Sequence, residues 1–268
     1  MIQIKNSRAV THDIFDFITR GITGLLVLFF VGIIVSLAFY TNINAFLSSL
    51  FSEEVIFAIK LSVLSATVAT IICIFVAVPT AYTISRAHFP GKNIVDALLD
   101  LPIVIPPIAL GTSLLIFFNT PLGVPLRDYF VFQTPGIVLA QFTVITALAV
   151  RFMKNTFDNI SPKYEIVARN LGCSKMQSFF KVTLPLAKKG LLAAAIIAWG
   201  RALGEFGASV TLAGATRMKT ETLSVAIFLN LATADVEKAI AVIFVLIILG
   251  LFILIIIRKI GARGYGIY

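Results

Sequence analysis

Residues 161–185, SPKYEIVARNLGCSKMQSFFKVTLP, form a polar and basic segment in a chain that otherwise consists mostly of apolar runs of membrane length. The segment lies between two long hydrophobic stretches and contains four cations, namely Lys163, Arg169, Lys175 and Lys181. Loops of membrane proteins that are rich in Lys and Arg stay on the cytoplasmic side of the membrane. This segment is therefore predicted to be cytoplasmic.

Two short amphipathic helices are predicted within the segment. Ser161 suits the N-cap of the first helix, Pro162 its first position and Glu165 its first turn. A hinge between the two helices is expected near Gly172. Apolar side chains recur at helical spacing on both sides of this glycine, at Ile166, Val167, Leu171, Met176, Phe179, Phe180, Val182 and Leu184. An apolar ridge outside the bilayer needs a surface to cover it, so we expect a partner protein to bind here.

The composition is that of a membrane protein. Of the 268 residues, 59% are hydrophobic and only 13% are charged, which is far more apolar than a soluble domain. The net charge of +9 does not indicate nucleic-acid binding, because the basic residues flank apolar segments instead of gathering on one soluble face. Cys73 and Cys173 fall in different compartments of the predicted topology and are not expected to pair. His12 and His88 have no other residue at metal-ligand spacing, so no metal site is expected.

Six apolar segments are long enough to cross the membrane. The expected fold class is therefore an all-α polytopic membrane protein with six transmembrane helices. Both termini are expected in the cytoplasm, because most Lys and Arg residues then lie on the inner side. Residues 1–268 are expected to form a single transmembrane domain. The predicted spans are residues 21–42, 57–84, 96–118, 136–153, 190–212 and 236–257.

Three segments between or before these spans have a predicted place of their own. Residues 13–18 are expected to form a short helix at the membrane surface. Residues 155–187 are the predicted cytoplasmic loop. Residues 221–233 are expected to form a short outer helix that lies on the membrane surface or is partly inserted.

The third predicted span is interrupted by Pro102, Pro106, Pro107 and Gly111. Proline inside a spanning helix removes a backbone hydrogen bond that lipid cannot replace. This segment should therefore face other helices or an aqueous cavity. Two interpretations follow from the residues alone: the prolines make a packing kink, or the broken helix lines a transport pathway.

Arg201 and Glu205 are an ionisable pair well inside the fifth predicted span, and their i, i+4 spacing indicates one helical face. Each would cost about 2.5 to 3.5 kcal/mol facing lipid, so both should face the protein interior or water. The pair is either a structural ion pair that fixes helix packing or a source of positive potential along an anion path. Small residues beside the pair would allow close approach of a second helix, namely Gly200, Gly204 and Gly207.

Gly172 is followed thirteen positions later by the proline of Val182-Thr183-Leu184-Pro185. This spacing resembles the EAA loop of ABC importer permeases, whose conserved glycine precedes the proline of an I-x-L-P ending by the same distance. The Glu-Ala-Ala of that family falls here on Ile166-Val167-Ala168, and Glu165 is displaced by one position. The resemblance implies a coupling helix that docks on a separate ATP-binding subunit. The residues it assigns to that contact are Glu165, Val167, Ala168, Leu171, Gly172 and Met176.

Two further stretches look like molybdate/tungstate permeases of the same class. They are LPIVIPP at residues 101–107, followed by Gly111, and RALGEFGA at residues 201–208. The second stretch is similar in sulfate/thiosulfate permeases, so a tetrahedral oxyanion is implied more firmly than any one anion. The double proline favours molybdate or tungstate, with sulfate or thiosulfate as the alternative. A pathway or gate role is implied for Pro106, Pro107, Arg201 and Glu205.

The resemblance also implies an assembly, with the six-span fold of type I ABC importer permeases. This assembly contains two copies of the permease, two ATPase subunits and an extracytoplasmic binding protein that delivers the oxyanion. The sequence has no GxxxxGK[ST] loop, so ATP is expected on the partner subunit and no cofactor on this chain. It also has no reactive cluster that suggests an enzyme. The remaining alternatives are an ion-coupled transporter or channel, which would need no ATP, and a membrane-embedded enzyme.

Overall fold

The structure is a computed structural model that describes the backbone of residues 3–40 and 43–262. The predicted end of the first span at Asn42 and the C-terminal cation Arg263 lie outside the described residues, as does the side chain of His12. The described ranges contain thirteen α-helices. Their arrangement follows from where the apolar runs, prolines and glycines fall along the chain.

Five of the described helices have 20 residues or more. They are α1 (Gln3–Phe39), α3 (Glu53–Arg86), α7 (Thr134–Asp158), α10 (Leu184–Leu203) and α13 (Val236–Ala262). The others are α2 (Ile43–Leu50), α4 (Lys92–Val104), α5 (Pro107–Phe117), α6 (Arg127–Phe130), α8 (Lys163–Asn170), α9 (Lys175–Ser178), α11 (Gly207–Ala213) and α12 (Leu223–Ala232). A 3-10 turn, Val124–Leu126, precedes α6, and a π turn, Phe179–Thr183, joins α9 to α10.

The six-span architecture is confirmed. Five segments are long and apolar enough to cross a membrane, and the bent pair α4 and α5 supplies a sixth. The five are Phe15–Leu37, Glu53–Arg86, Thr134–Asp158, Lys175–Leu203 and Val236–Lys259. The predicted short outer helix is α12, which packs on α3 and α13 through Leu223 and Ala226.

The core is built where α3, α7 and α10 pack against one another. The face that α3 contributes is lined by small, fully buried residues: Ala66, Ala69, Cys73, Ala77 and Ala81. Opposite them lie buried residues of α7 and α10, which include Phe157 and Ala194. Small side chains let helix backbones approach closely, and close packing is what associates helices in lipid. This cluster gives the molecule a compact centre around α3.

Two predicted boundaries were wrong. Residues 13–18 are not a separate surface helix but part of α1, which contains no proline to interrupt it. The fifth span was predicted to begin at Gly190, yet the helix runs from Lys175 to Leu203. Pro185 has no N–H to donate to the preceding turn, and the π turn beside it keeps the helix continuous. The second predicted amphipathic helix is therefore the first part of this span.

Candidate coupling surface and translocation path

The hinge between α8 and α9 is a Schellman motif centred on Gly172. The Cys173 N–H donates to the Ala168 carbonyl at 3.1 Å, and the Gly172 N–H donates to the Arg169 carbonyl at 3.0 Å. Gly172 has φ +92°, a left-handed conformation that glycine adopts without the penalty of a Cβ atom. No atom lies within 4 Å of the position that a Cβ would take. Within the protomer, glycine is thus required for its backbone angle and not for a close contact.

Helix α9 begins with a second motif that fixes the hinge. Ser174 and Gln177 form a capping box, in which the Ser174 Oγ accepts from the Gln177 N–H at 3.2 Å. In return, the Gln177 Oε1 accepts from the Ser174 N–H at 2.9 Å. Both bonds satisfy donors that an open helix end would leave unpaired. The chain between the two helices is therefore held from both sides in one geometry.

The coupling surface is defined here as the exposed apolar side chains of α8, the hinge and the helix that follows. Leu171 is the most open of them, with 82% of its surface exposed. The other members are Tyr164, Ile166, Val167, Met176 and Phe180. Beside the surface is a polar groove of about 500 Å³, bordered by the cations of Arg169 and Lys175. Such a mixture of apolar and basic groups on the surface suits a protein partner.

Two residues assigned to this contact are not on the coupling surface. Ala168 is buried beneath α8. The Glu165 carboxylate is only 13% exposed and pairs with Arg86, whose Nε donates to it at 3.0 Å. The Tyr82 hydroxyl donates to the other carboxylate oxygen at 2.8 Å. Glu165 and Ala168 are away from the coupling surface because both lie on the side of α8 that faces the rest of the protein. Glu165 therefore anchors α8 to the end of α3.

The charge of Glu165 is stabilised by these contacts. Burial by itself raises the pKa of the carboxyl, whereas the hydrogen bonds from Tyr82 and Arg86 lower it. The net result is a pKa below the ordinary glutamate value. Glu165 is thus an ionised anchor at neutral pH.

The third span is broken at Pro106 and Pro107, as predicted, whereas Pro102 lies inside α4 and Gly111 inside α5 without interrupting either helix. The chain direction bends by 109° between α4 and α5. Pro106 forms the N-cap of α5 and Pro107 its first residue, where the missing N–H costs nothing. Pro106 is exposed and Pro107 is partly exposed in the protomer.

The Arg201–Glu205 ion pair forms, but not on one helical face. Helix α10 ends at Leu203, before Glu205, and α11 begins at Gly207. The Glu205 carboxylate spans this break: Oε2 lies 2.7 Å from Arg201 Nη1, and Oε1 accepts from the Ala208 N–H at 2.9 Å. Glu205 is 1% exposed, whereas the Arg201 side chain is 38% exposed. The Glu205 carboxylate therefore caps α11 and pairs with Arg201 of α10. The prediction of one continuous helix to Leu212 was wrong.

The bent segment and the break after α10 lie against each other. A Cβ added at Gly207 would lie 3.0 Å from the Ile108 nitrogen and 3.4 Å from the Pro107 Cβ. A Cβ at Gly111 would lie 2.6 Å from the Ala208 carbonyl oxygen, closer than van der Waals contact allows. The predicted pathway residues therefore come from two interrupted spans that pack through their glycines.

Some residues of these sites were not identified from the sequence. Arg86 was interpreted only as a marker of the inner side, and Tyr82 as part of an apolar run, because their partner Glu165 is about 80 positions away along the chain. Gln141 was also missed. This fully buried side chain of α7 donates to the Ala202 carbonyl at 3.0 Å, next to the break. A glutamine in the middle of a predicted span was the one signal that pointed to it.

The described residues thus form a multi-pass helical protein with interrupted candidate spans and an anchored apolar loop between two of them. The chain belongs to the binding-protein-dependent transport system inner membrane component family, whose model matches residues 69–263. It is 34% identical over 257 residues to a probable molybdenum ABC transporter permease protein of Haloferax volcanii, with 92% of each chain covered. It is 36% identical to the molybdate/tungstate transport system permease protein WtpB of Pyrococcus furiosus, over 83% of this chain and 85% of the relative.

Sulfate permeases are also similar, and solved structures share the fold. The sulfate transport system permease protein CysT of Escherichia coli is 34% identical over 79% of this chain and 78% of its own length. A chain in the crystal structure of a bacterial alginate ABC transporter, in complex with an alginate pentasaccharide-bound periplasmic protein, superposes with a TM-score of 0.74. That match covers 94% of this chain and 95% of the other at 18% identity, so it establishes the fold alone.

Proposed function

We propose that this permease forms the membrane path of an ATP-driven importer for a tetrahedral oxyanion, molybdate or tungstate. The observation that carries the proposal is its similarity, over 92% of its length, to a probable molybdenum permease. The half-exposed guanidinium of Arg201 supports an anionic cargo, because it keeps one open side while Glu205 holds the other. Sulfate is the second candidate, since sulfate permeases share about a third of their residues with this chain.

The proposed assembly contains two copies of this chain, two ATPase subunits and an extracytoplasmic protein that delivers the anion. ATP is bound by the ATPase subunits, and this chain binds no cofactor. The coupling surface faces the ATPase in the cytoplasm, and both termini lie on the same side. Lys163 and Lys175 flank the coupling surface, in agreement with the excess of positive charge on cytoplasmic loops.

The test is uptake of molybdate into vesicles that contain the permease, its ATPase and its binding protein. We expect uptake to require ATP on the side of the vesicle membrane where the ATPase is bound. We also expect excess tungstate to inhibit this uptake more strongly than excess sulfate. Stronger inhibition by sulfate would assign the importer to the second candidate. Uptake that continues without the ATPase would overturn the proposal and favour an ion-coupled transporter.

We also predict that the permease is a homodimer, because one subunit offers one coupling loop whereas ABC ATPases work in pairs. Helix α1 supports this arrangement: no residue in its most apolar window is buried within the protomer, so its surface is available to lipid and to a second copy. Cross-linking in membranes, followed by electrophoresis, should give a band of twice the protomer mass. Recovery of monomers alone, from membranes that support uptake, would contradict the prediction.

A further inference from the structure

The inner end of α3 is tied to the coupling loop by several bonds. Arg86, the last residue of α3, pairs with Glu165 at 3.0 Å and donates through Nη2 to the Ile160 carbonyl at 2.7 Å. Both side chains of the ion pair are close to seven-eighths buried. One turn earlier, the Tyr82 ring packs against Phe179 with ring centroids 4.7 Å apart. Its hydroxyl donates to Glu165, so the end of α3 contacts both sides of the hinge.

The outer end of α3 is tied in a similar way to the segment that joins α11 to α13. Glu54 lies in the first turn of α3 and accepts from Arg217 at 3.0 Å and from Lys238 at 3.1 Å. Two turns further along, the Ser62 Oγ accepts from the Leu223 N–H at 2.7 Å, at the start of α12. The outer segment, defined here as residues 214–238, is thus bonded to α3 through ion pairs and through a buried hydrogen bond.

Between these two ends α3 is one continuous helix: Pro79 within it has no N–H to donate, yet the helix continues to Arg86. It has 34 residues, which corresponds to about 50 Å at about 1.5 Å per residue. Its buried face of small residues packs closely against α7 and α10 from Ala66 to Ala81. The α4–α5 span, by contrast, is broken at Ile105, and the span that starts at Lys175 is broken after Leu203. A helix that is continuous and bonded at both ends transmits displacement along its axis better than a broken one.

We propose that α3 is the rigid link between the coupling loop and the outer segment, with Arg86, Tyr82 and Glu54 as its positioning residues. A displacement of α8 by a cytoplasmic partner moves Glu165, which pulls on Arg86 and Tyr82. Helix α3 carries this movement across the membrane to Glu54, and the outer segment follows through Arg217 and Lys238. This inference rests on the proposed function, because it assumes that an ATPase moves the coupling loop.

The experiment measures molybdate uptake per ATP hydrolysed for variants at each end of α3. Tyr82→Phe removes one hydroxyl and keeps the ring packing, and Glu165→Gln removes the charge of the inner ion pair. Glu54→Gln removes the charge of the outer pair. Each is expected to lower the ratio at least about fivefold, the lower range of measured coupling between distant sites. The matched control is Glu53→Gln, the neighbouring exposed glutamate of the same helix turn, which should retain the wild-type ratio.

The double variant Glu54→Gln/Glu165→Gln separates a link from two local defects. Substitutions this far apart normally have additive effects on free energy, so two independent defects would multiply their fold-changes. If α3 is one link, breaking either end disconnects it, and the double variant should show the same ratio as the worse single variant. Multiplied effects would overturn the proposal, and so would a Glu54→Gln variant that behaves like Glu53→Gln.

Failure of this inference is distinguishable from failure of the proposed function. Wild-type vesicles must first show molybdate uptake that depends on the ATPase, and its absence would reject the proposed function itself. Where wild-type uptake is present, amounts of permease and of copurified ATPase are measured for every variant. Tyr82→Phe serves as the decisive inner variant if Glu165→Gln does not assemble, because it removes a single hydrogen bond from an otherwise unchanged packing.

Discussion

Replacement of Gly172 by phenylalanine is expected to lower ATP-dependent uptake at least about tenfold, within the range of coupling energies measured between distant sites. The hinge holds φ +92°, and a residue with a side chain is strained there by about 1 to 2 kcal/mol. A phenylalanine ring would also stand in the open space beside the coupling surface, where the ATPase is proposed to bind. Membrane insertion should be retained, because no spanning segment is altered. Uptake and copurification of the ATPase are the measurements.

Two further variants separate backbone strain from steric exclusion of the partner. Gly172→Ala carries the strain without the bulk and should cause a smaller loss of uptake. Gly91→Phe is the matched control, because Gly91 also has a positive φ and no atom within 4 Å of a Cβ, yet it precedes α4 and not the hinge. Normal uptake by Gly172→Phe would reject docking at this hinge, and loss of insertion would indicate a purely structural role.

Removal of Arg201 is expected to cost more than removal of its partner. Arg201→Met leaves the Glu205 carboxylate, which is 1% exposed, without a counter-charge, and an unpaired buried charge costs about 3 kcal/mol or more. Glu205→Gln leaves a guanidinium that is 38% exposed and can be solvated on its open side. A glutamine oxygen can still accept from the Ala208 N–H. In thermal unfolding of the purified permease in lipid nanodiscs, Arg201→Met should therefore have a lower midpoint temperature than Glu205→Gln.

The double variant Arg201→Met/Glu205→Gln tests the cause of this asymmetry. It should regain most of the stability that Arg201→Met loses, because no buried charge then remains unpaired. Uptake should stay low in the double variant if the guanidinium contributes to the anion path, and should recover with stability if the pair only fixes helix packing. Equal stability of both single variants would contradict the burial that the structure shows.

Features set by short-range chemistry could be predicted from the sequence. The spans follow from the length of apolar runs, the bend of the third span from Pro106 and Pro107, and the hinge from a glycine between two amphipathic patterns. Each of these depends on residues that are close together along the sequence. The positive φ of Gly172 agrees with the hinge that was predicted near this residue.

Features set by distant contacts could not be predicted. The spacing of Arg201 and Glu205 fits a continuous helix, but α10 ends at Leu203, and the close approach of Ile108 and Pro107 to Gly207 is not signalled by neighbouring residues. Glu165 was assigned to the partner contact because of the resemblance to the EAA loop. Its contacts with Arg86 and Tyr82 depend on how α3 and α8 pack against each other. The sequence pattern of either helix alone does not contain this information.

The buried carboxylate of Glu205 also bears on how the protein is made. A charged residue enters the bilayer at a cost of about 2.5 to 3.5 kcal/mol on insertion scales, unless polar partners are already at hand. Arg201, which pairs with Glu205, and the groups that pack around this break, Pro107 and Gly111 on α5 and Gln141 on α7, are all synthesised before residue 205 leaves the ribosome. Because the chain is made from its N-terminus, these groups are already present when Glu205 enters the membrane. If Glu205 were synthesised before them, its carboxylate would face lipid without a partner.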